Sequence, residues 1–151
     1  MSRNQSPLPA TRPVYSFVIP LFNEEAVLPI LLHRMDRLLE KLDGPAEVIF
    51  VDDGSKDTCG IVAAGRAKDD PLYRYIALSR NFGHQIAITA GMDAAAGDAV
   101  IIMDADLQDP PEVCLDLIAR WKDGYEIVYA QRLSREGETA LKLWTAKMFY
   151  R

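Results

Sequence analysis

Two acidic side chains follow an apolar stretch in the sequence MDADLQDPPE, which begins at Met103. Asp104 and Asp106 are two positions apart, so in an extended chain their side chains point to the same side, and Gln108 continues that face. Carboxylates crowded on one face repel one another, or their pKa values rise, unless a cation joins them. Oxygen ligands of this kind suit Mg²⁺ or Mn²⁺, which retain waters and commonly also bind the phosphates of a substrate. The stretch therefore predicts a divalent-metal site, with a solvated turn as the structural alternative.

The other two acids of this stretch fit a structural role. Asp109 precedes Pro110, and Glu112 follows three residues after Asp109. This is the pattern of a helix start, with Asp109 as the N-cap, proline at the first helical position and Glu112 reaching back as in a capping box. We therefore predict that these two acids stabilise the start of a helix over residues 110–123.

A second pair of acids ends another apolar stretch, EVIFVDDGS. Asp52 and Asp53 are followed by Gly54, whose missing Cβ allows the chain to turn or a ligand to approach. The structural alternative is a turn followed by a helix cap, and Ser55 is predicted as the N-cap of the next helix. Both uses of the pair remain open at this point.

Two further segments place polar groups after predicted strands. Residues 23–25 read Asn-Glu-Glu, and one of them can cap the first helix. The segment SRNFGH contains Arg80, a permanent cation whose planar guanidinium matches phosphate. If these groups meet the acids, the combination suits a nucleotide diphosphate carried with its metal.

The strands that precede these groups must lie side by side for that to happen. Short apolar, β-branched or aromatic stretches predict strands, and a helical spacing of apolar residues predicts the helices between them. The predicted strands are 14–20, 47–55, 73–79, 98–104 and 125–131, and the predicted helices are 26–42, 57–68, 84–96, 110–123 and a last one from about 138. This alternation is typical of βαβ units with a mainly parallel sheet covered on both faces, whose ligands bind at the carboxyl ends of the strands.

The composition is that of an ordinary globular domain, with 151 residues, 49% hydrophobic and 26% charged. A net charge of −5 argues against nucleic-acid binding. The sequence contains neither a P-loop nor a G-x-G-x-x-G pattern, and neither a signal peptide nor an apolar stretch of about 20 residues. Residues 1–13, which include three prolines, are predicted to be a disordered lead-in.

The cysteines and histidines do not form a metal-binding pattern. Cys59 and Cys114 are far apart, and we expect two reduced, partly buried thiols of a cytosolic protein. The two histidines are too few and too scattered for a histidine metal site, and His33 is predicted to lie on the surface of a helix.

Taken together, four motifs resemble the family 2 glycosyltransferases with the GT-A fold: VIPLFNEE, VDDGSKDT, SRNFGHQIAITAGMDAAAGD and MDADLQDPPE. More narrowly, they resemble the polyprenyl-phosphate glycosyltransferases, the group that includes dolichol-phosphate mannose synthase and bacterial undecaprenyl-phosphate sugar transferases. The resemblance covers roughly residues 14–151 and implies a GT-A (Rossmann-like) three-layer α/β/α nucleotide-sugar-binding domain with a mainly parallel central sheet.

Members of that group usually continue further, with amphipathic and often transmembrane helices. The resemblance therefore implies a catalytic domain that is incomplete at its C-terminus, a soluble, cytoplasmic part of a protein at the cytoplasmic face of a membrane. It leaves open that the full-length protein is a homo-oligomer.

The resemblance also implies roles for individual residues. The nucleotide-binding residues it implies are Pro20, Phe22, Asn23, Glu24, Asp52, Asp53, Arg80 and Asp104. Phe22 stands where tyrosine is commoner, and Asp52 and Asp53 match acids that contact base or ribose. The catalytic residues it implies are Asp104, Asp106, Arg132 and Arg135. The two arginines match residues that hold acceptor or donor phosphate, with a charged helix face as the alternative. Asp106 and Gln108 are the implied direct ligands of Mg²⁺ or Mn²⁺, together with Asp104.

The implied activity is inverting transfer of a sugar from a nucleotide diphosphate sugar, of the UDP-glucose or GDP-mannose type, to a polyprenyl phosphate. Such an acceptor is mostly ionised at neutral pH, because the second pKa of a phosphate monoester is about 6. It needs little general-base help, which is consistent with a sequence that offers no Ser-His-Asp or Cys-His constellation. One alternative is a non-catalytic nucleotide-sugar-binding fragment, inactive without a further C-terminal part. Another is a receiver-like phosphoacceptor domain, for which Arg132 is a poor match to the usual lysine.

Overall fold

The computed structural model of the protein describes residues 12–131. Its elements, in chain order, are β1 (Tyr15–Leu21), α1 (Leu28–Leu39), β2 (Ala46–Asp52), α2 (Cys59–Asp69), β3 (Tyr73–Ala77), α3 (His84–Ala94), β4 (Ala99–Ile102) and α4 (Val113–Lys122). The strands form one sheet in the order β3-β2-β1-β4, and every pairing is parallel. The predicted α/β class with a parallel sheet is confirmed.

Strands β1 and β2 lie at the centre of the sheet, and every residue of both is buried. On one face, residues such as Phe17 and Phe50 pack in a cluster with side chains of α1, α2 and α4. On the other face, Ile49 and Val51 pack against Ala87 of α3. This is the three-layer arrangement expected for a parallel sheet covered on both sides.

Helix α3 approaches the sheet closely at Gly91. A Cβ at this position would lie 2.3 Å from Cγ1 of Val18 and 3.1 Å from Cγ2 of Val51. Gly91→Ala is therefore expected to lower the free energy of unfolding, measured by urea denaturation, by about 1–3 kcal/mol, because an extra methyl group must displace the packed side chains. Gly65→Ala in α2 is the control: no atom lies within 4 Å of a Cβ there, and the variant should be about 0.5–1 kcal/mol more stable. Equal effects of the two substitutions would contradict the close packing of α3.

The apolar period predicted for the first helix is confirmed, and Pro29 lies in the first turn of α1. The N-cap predicted for the second helix is wrong. Helix α2 begins at Cys59, so its N-cap residue is Thr58, and the side chain of Thr58 makes no capping hydrogen bond. The hydroxyl of Ser55 instead accepts the backbone N–H of Asn23 at 3.0 Å and the thiol hydrogen of Cys59 at 3.2 Å. The loop after β2 is longer than predicted, and Ser55 is used to bind the neighbouring loop.

Helix α4 begins at Val113, three residues after the predicted start, and its N-cap is Glu112 rather than Asp109. The predicted capping box is wrong, because the helix begins directly after Glu112, so Asp109 and Glu112 do not occupy the N-cap and third helical positions that such a box requires. Its carboxylate lies 2.5 Å from Nη2 of Arg34 in α1, and the hydrogen bond from that guanidinium lowers the pKa of Glu112. This ion pair between helices fixes the end of the loop that follows β4.

Residues 125–131, predicted as a fifth strand, do not form one. Tyr125, Ile127 and Tyr129 expose 60%, 86% and 79% of their surface. Alternating apolar residues form a stable strand only when one face is buried against another layer. No element among residues 12–131 covers these side chains in that way, so the predicted alternation does not become a strand.

The two thiols are free, as predicted, and both are buried, whereas the prediction had them partly buried. Burial raises the pKa of Cys59, and it raises the pKa of Cys114 to about 11, so both are protonated at neutral pH. The exposed position of His33 is also confirmed.

Two predictions fall largely outside the described residues. The last predicted helix, from about residue 138, lies entirely outside them, as do residues 1–11 of the lead-in. The last two lead-in residues are described: Pro13 is buried, and Arg12 forms an ion pair with Asp98 at 2.6 Å. None of the described helices is long and apolar enough to cross a membrane.

Candidate functional site

A cavity of about 360 Å³ lies at the carboxyl edge of the sheet, where the loops after all four strands meet. It brings together six of the predicted site residues: Pro20, Phe22, Glu24, Asp53, Asp104 and Asp106. The convergence of these loops follows from the parallel sheet, since the carboxyl ends of all its strands lie on one side.

Asp104 and Asp106 both line the cavity, but not in the predicted extended geometry. Strand β4 ends at Ile102, and the chain turns at residues 105 and 106. Ala105, between the two acids, is buried with 4% of its surface exposed. Its methyl group belongs to the core cluster, and Ala105 lines the cavity together with the two acids on either side of it.

The carboxylate of Asp106 also shapes its own loop. Its Oδ1 accepts the backbone N–H of Gln108 at 3.0 Å, across Leu107, which has a positive φ of 57°. This is the hydrogen bond of an Asx turn. Gln108 itself is exposed and is not among the residues that line the cavity. Of the three predicted metal ligands, the structure brings together Asp104 and Asp106.

The cavity is acidic. Burial raises the pKa of Glu24, and the negative charges of Asp106 and Asp57 raise it further. Within residues 12–131, no group of three or more His, Cys, Asp or Glu side chains is placed to hold a metal ion by itself. Two hard oxygen ligands in a negatively charged cavity fit Mg²⁺ or Mn²⁺ when the substrate's phosphates and water supply the other ligands.

Asp52 lies outside this cavity and has structural partners. Its Oδ1 accepts the backbone N–H of Ser55 at 2.9 Å, and its Oδ2 accepts the hydroxyl of Tyr75 at 2.7 Å. Burial raises the pKa of Tyr75, and the hydrogen bond to Asp52 raises it further. The structure therefore gives Asp52 the turn role that the sequence left open.

Asn23 joins the loop after β1 to the loop after β2. Its Oδ1 accepts the backbone N–H of Lys56 at 2.8 Å, while its own backbone N–H donates to Ser55. Glu25 and Asp57 form a second link, in which the backbone N–H of Glu25 donates to Oδ2 of Asp57 at 2.9 Å. Asn23, which was predicted to bind the nucleotide, thus uses its side-chain oxygen to hold two loops together.

The loop after β3 is held by Asp53, whose carboxylate accepts the backbone N–H groups of Phe82 and Gly83. Arg80 of the same loop is exposed and does not line the cavity. Its guanidinium stacks on the ring of Phe82, 4.0 Å from the ring centroid. Arg80 can therefore reach a ligand only from the rim.

Sequence reasoning missed His84, the first residue of α3, which lines the cavity. Its Nε2 lies 3.3 Å from Oδ1 of Asp104. The signal for it was its place at the start of a helix directly after a strand-end loop. Arg132 and Arg135, the predicted phosphate-binding arginines, lie outside the described residues.

The sequence matches the family described as Glycosyl transferase family 2 over residues 16–151. It is 50% identical over 137 residues to the uncharacterized glycosyltransferase YkcC of Bacillus subtilis, covering 91% of this chain and 42% of that relative. It is 41% identical over 136 residues to the bactoprenol glucosyl transferase of Shigella phage SfV, covering 90% of this chain and 44% of that relative. The chain thus spans less than half the length of these relatives.

Among solved structures, the fold is similar to that of glucosyl-3-phosphoglycerate synthase from Mycobacterium tuberculosis in complex with Mn²⁺, UDP-glucose and phosphoglyceric acid. The TM-score is 0.60 at 26% sequence identity, and the similarity covers 78% of this chain and 42% of that one.

Proposed function

The chain belongs to glycosyltransferase family 2 and has the GT-A fold, and on this premise we propose that it transfers a sugar from a nucleotide diphosphate sugar to a polyprenyl phosphate. The observation that carries the proposal is the acidic cavity in which Asp104, Asp106 and Glu24 meet at the carboxyl edge of the sheet. The similar protein that binds Mn²⁺ and UDP-glucose supports the donor class and the metal. The relative named bactoprenol glucosyl transferase supports a polyprenyl acceptor.

In this proposal Asp104 and Asp106 hold Mg²⁺ or Mn²⁺, with Gln108 as a further oxygen ligand. When bound, the cation neutralises negative charge on the leaving diphosphate. The proposed nucleotide-binding residues are Pro20, Phe22, Asn23, Glu24, Asp52, Asp53, Arg80 and Asp104. Of these, Pro20 and Phe22 form cavity wall, whereas Asn23 and Asp52 act by holding the surrounding loops.

The proposed reaction inverts the anomeric carbon. A phosphate oxygen of the acceptor attacks this carbon from the face opposite the nucleotide, a new C–O bond forms, and the bond to the nucleoside diphosphate breaks. The acceptor needs no general base because it is already ionised at neutral pH. The chain's residues therefore act by orienting the donor and by stabilising its departing charge, which are large contributions to such a transfer. Arg132 and Arg135 remain proposed phosphate-binding residues.

In the full-length protein, we place this reaction at the cytoplasmic face of a membrane, where the lipid acceptor is located. A homo-oligomer remains compatible with the proposal.

Calorimetric titration of the protein with UDP-glucose and with GDP-mannose, each with Mn²⁺ and with EDTA, tests the donor site. We expect one of the two to bind with Mn²⁺ and binding to fall below detection with EDTA. Equal binding without the metal, or no binding by protein whose fold is verified by circular dichroism, contradicts the proposal.

Transfer is measured separately, by formation of a labelled lipid from the donor that binds and a polyprenyl phosphate in detergent. Product formation supports the transferase. Suppose that this chain binds the donor but forms no product, while a longer chain, with the full length of the relatives, does form product. That result favours the alternative of a nucleotide-sugar-binding unit that depends on a further part of the protein.

A further inference from the structure

We propose that Glu25 and Asp57 are positioning residues, which join the loop after β1 to the loop after β2 and thereby hold Glu24 in the cavity. The inference rests on the proposed function, because it takes the cavity to be the donor site. Neither Glu25 nor Asp57 is among the residues that line the cavity. Two acids outside the site thus take part in donor binding through the loop that they hold.

Asp57, in the loop after β2, binds the turn that leads into α1. Its Oδ2 accepts the backbone N–H of Glu25 at 2.9 Å, and its Oδ1 accepts the backbone N–H of Cys59 at 3.0 Å. Cys59 is the first residue of α2. The N–H groups at the start of a helix have no partner within the helix and need one from elsewhere. A single carboxylate therefore serves the starts of two helices.

Glu25 makes the reverse contact, from the loop after β1 to the start of α2. Its Oε2 accepts the backbone N–H of Thr58 at 3.2 Å and the hydroxyl of Thr58 at 3.0 Å. Each acid thus accepts a backbone N–H from the other acid's loop. These side chains are exposed or half-buried, so each hydrogen bond contributes only modestly to stability. The contact is nevertheless specific, because it is made in both directions between the same two short segments.

Glu24 needs such a contact because its surroundings in the cavity are unfavourable for its charge. Burial raises the pKa of Glu24, and the negative charges of Asp106 and Asp57 raise it further. An ionised Glu24 would therefore gain free energy by turning away from the cavity into water. The residues on both sides of it, Asn23 and Glu25, are bound to the loop after β2. With both neighbours fixed, the backbone is held in the form in which Glu24 lines the cavity.

The variants Glu25→Ala and Glu25→Gln separate the hydrogen bonds of Glu25 from its charge, because both remove the charge. Thr58 uses only one oxygen of Glu25, so the amide oxygen of glutamine can take its place, whereas alanine leaves Thr58 without its acceptor. Glu40→Ala is the matched control, because it makes the same change at an exposed position at the end of α1. Thermal unfolding establishes that each variant is folded before the other measurements.

The first readout needs no ligand: it is the exchange of the Thr58 amide with water, measured by NMR. We expect this amide to exchange about 3–10-fold faster in Glu25→Ala, because it loses its acceptor. Exchange in Glu25→Gln and in the control should stay close to that of the wild type. Unchanged exchange in Glu25→Ala would overturn the proposal, whether or not any nucleotide binds.

The second readout is the affinity, with Mn²⁺, for the nucleoside diphosphate, UDP or GDP, that the wild type binds. We expect Glu25→Ala to weaken binding by about 3–10-fold, the effect of losing one or two modest hydrogen bonds, and Glu25→Gln to restore it. Unchanged affinity in Glu25→Ala, or equal losses in the two variants, contradicts the positioning role. A wild type that binds neither nucleotide contradicts the proposed function, and the amide exchange of Thr58 then supports or overturns the contact between the loops by itself.

A double-mutant cycle shows whether the effect passes through Glu24. In a Glu24→Ala background, Glu25→Ala should cause no further loss of affinity, because the side chain that it positions is gone. A loss of the same size in both backgrounds would mean that Glu25 acts on the protein in some other way, and the proposal would be wrong. If Glu24→Ala alone binds too weakly for a second loss to be measured, the contrast between Glu25→Gln and Glu25→Ala decides.

Discussion

Replacing Glu47 by leucine is expected to lower the free energy of unfolding by about 3–5 kcal/mol. Glu47 is fully buried in β2. Its carboxylate accepts the hydroxyl of Ser16 at 2.7 Å, the guanidinium of Arg74 at 2.8 Å and the backbone N–H of Ala96 at 2.7 Å. Leucine would leave all three donors without their acceptor, and the guanidinium would be a half-buried charge without a partner. Since a domain of this kind is stable by about 5–15 kcal/mol in total, the loss is a large one.

The effect is large because Glu47 is the centre of a closed network at the edge of the sheet opposite the cavity. Arg74 also donates to the carbonyl of Ala94 at 2.7 Å, and the backbone N–H of Gly97 donates to Ser16 at 2.8 Å. The network thus ties the connection between α3 and β4 to three strands. A polar network with every member satisfied is rigid, and a partly satisfied one is costly.

Urea denaturation of a short series of variants measures the contribution of Glu47. Glu47→Gln should cost about 1–3 kcal/mol, because the amide keeps one acceptor oxygen. The double variant Glu47→Leu with Arg74→Leu should recover part of the loss, because no unpaired charge remains. Glu40→Gln, at an exposed position at the end of α1, should lie within about 0.5 kcal/mol of the wild type. A Glu47→Leu protein as stable as the control would show that the network does not stabilise the fold.

Much of the architecture could be predicted because burial leaves a direct trace in the sequence. The helical period of Leu28, Leu31, Met35 and Leu38 indicated one face of a helix, and each of these side chains exposes at most 1% of its surface. The apolar runs of β1 and β2 likewise reflect strands covered on both faces. From those elements the parallel sheet and the common edge for its loops follow.

The caps could not be predicted, because the competing partners are far away in the sequence. Glu112 has the spacing of a capping box, but Arg34 lies 78 residues earlier and binds its carboxylate. Serine is a residue type that is favoured at N-caps, but the hydroxyl of Ser55 accepts a hydrogen bond from the backbone N–H of Asn23, 32 residues earlier. A local pattern records which groups are available, and the tertiary structure decides which of them pair.

The same limit applies to the candidate site. The place of Asp52 and Asp53 at the end of a strand was visible in the sequence, and so was that of Asp104 and Asp106. The sequence did not show that Asp52 is used by Ser55 and Tyr75 outside the cavity and that Asp53, though it lines the cavity, accepts two backbone N–H groups of the loop after β3. It did not show either that Asp104 and Asp106 both line the cavity. Sorting acids that shape loops from acids left facing a ligand requires their hydrogen-bond partners, which only the fold supplies.

Asp106→Asn is expected to weaken Mn²⁺-dependent binding of the nucleotide sugar by at least about 100-fold. Loss of a residue that merely supports a metal ligand already costs about 10–100-fold in affinity, so loss of a ligand's charge should cost at least as much. Asparagine is the informative substitution, because its amide oxygen can still accept the backbone N–H of Gln108 and so keep the turn across Leu107. The carboxylate's charge is removed and the loop is retained.

Asp106→Ala removes the charge and the turn together. It should lose metal-dependent binding to the same extent, and its loop amides should exchange faster, whereas those of Asp106→Asn should not. Asp116→Asn, on the exposed side of α4, is the matched control and should bind as the wild type does. Calorimetry with Mn²⁺ and the bound nucleotide sugar gives the affinities. If Asp106→Asn binds the nucleotide sugar normally and only Asp106→Ala is impaired, Asp106 acts by shaping its loop. The metal must then be held without the negative charge of the Asp106 carboxylate.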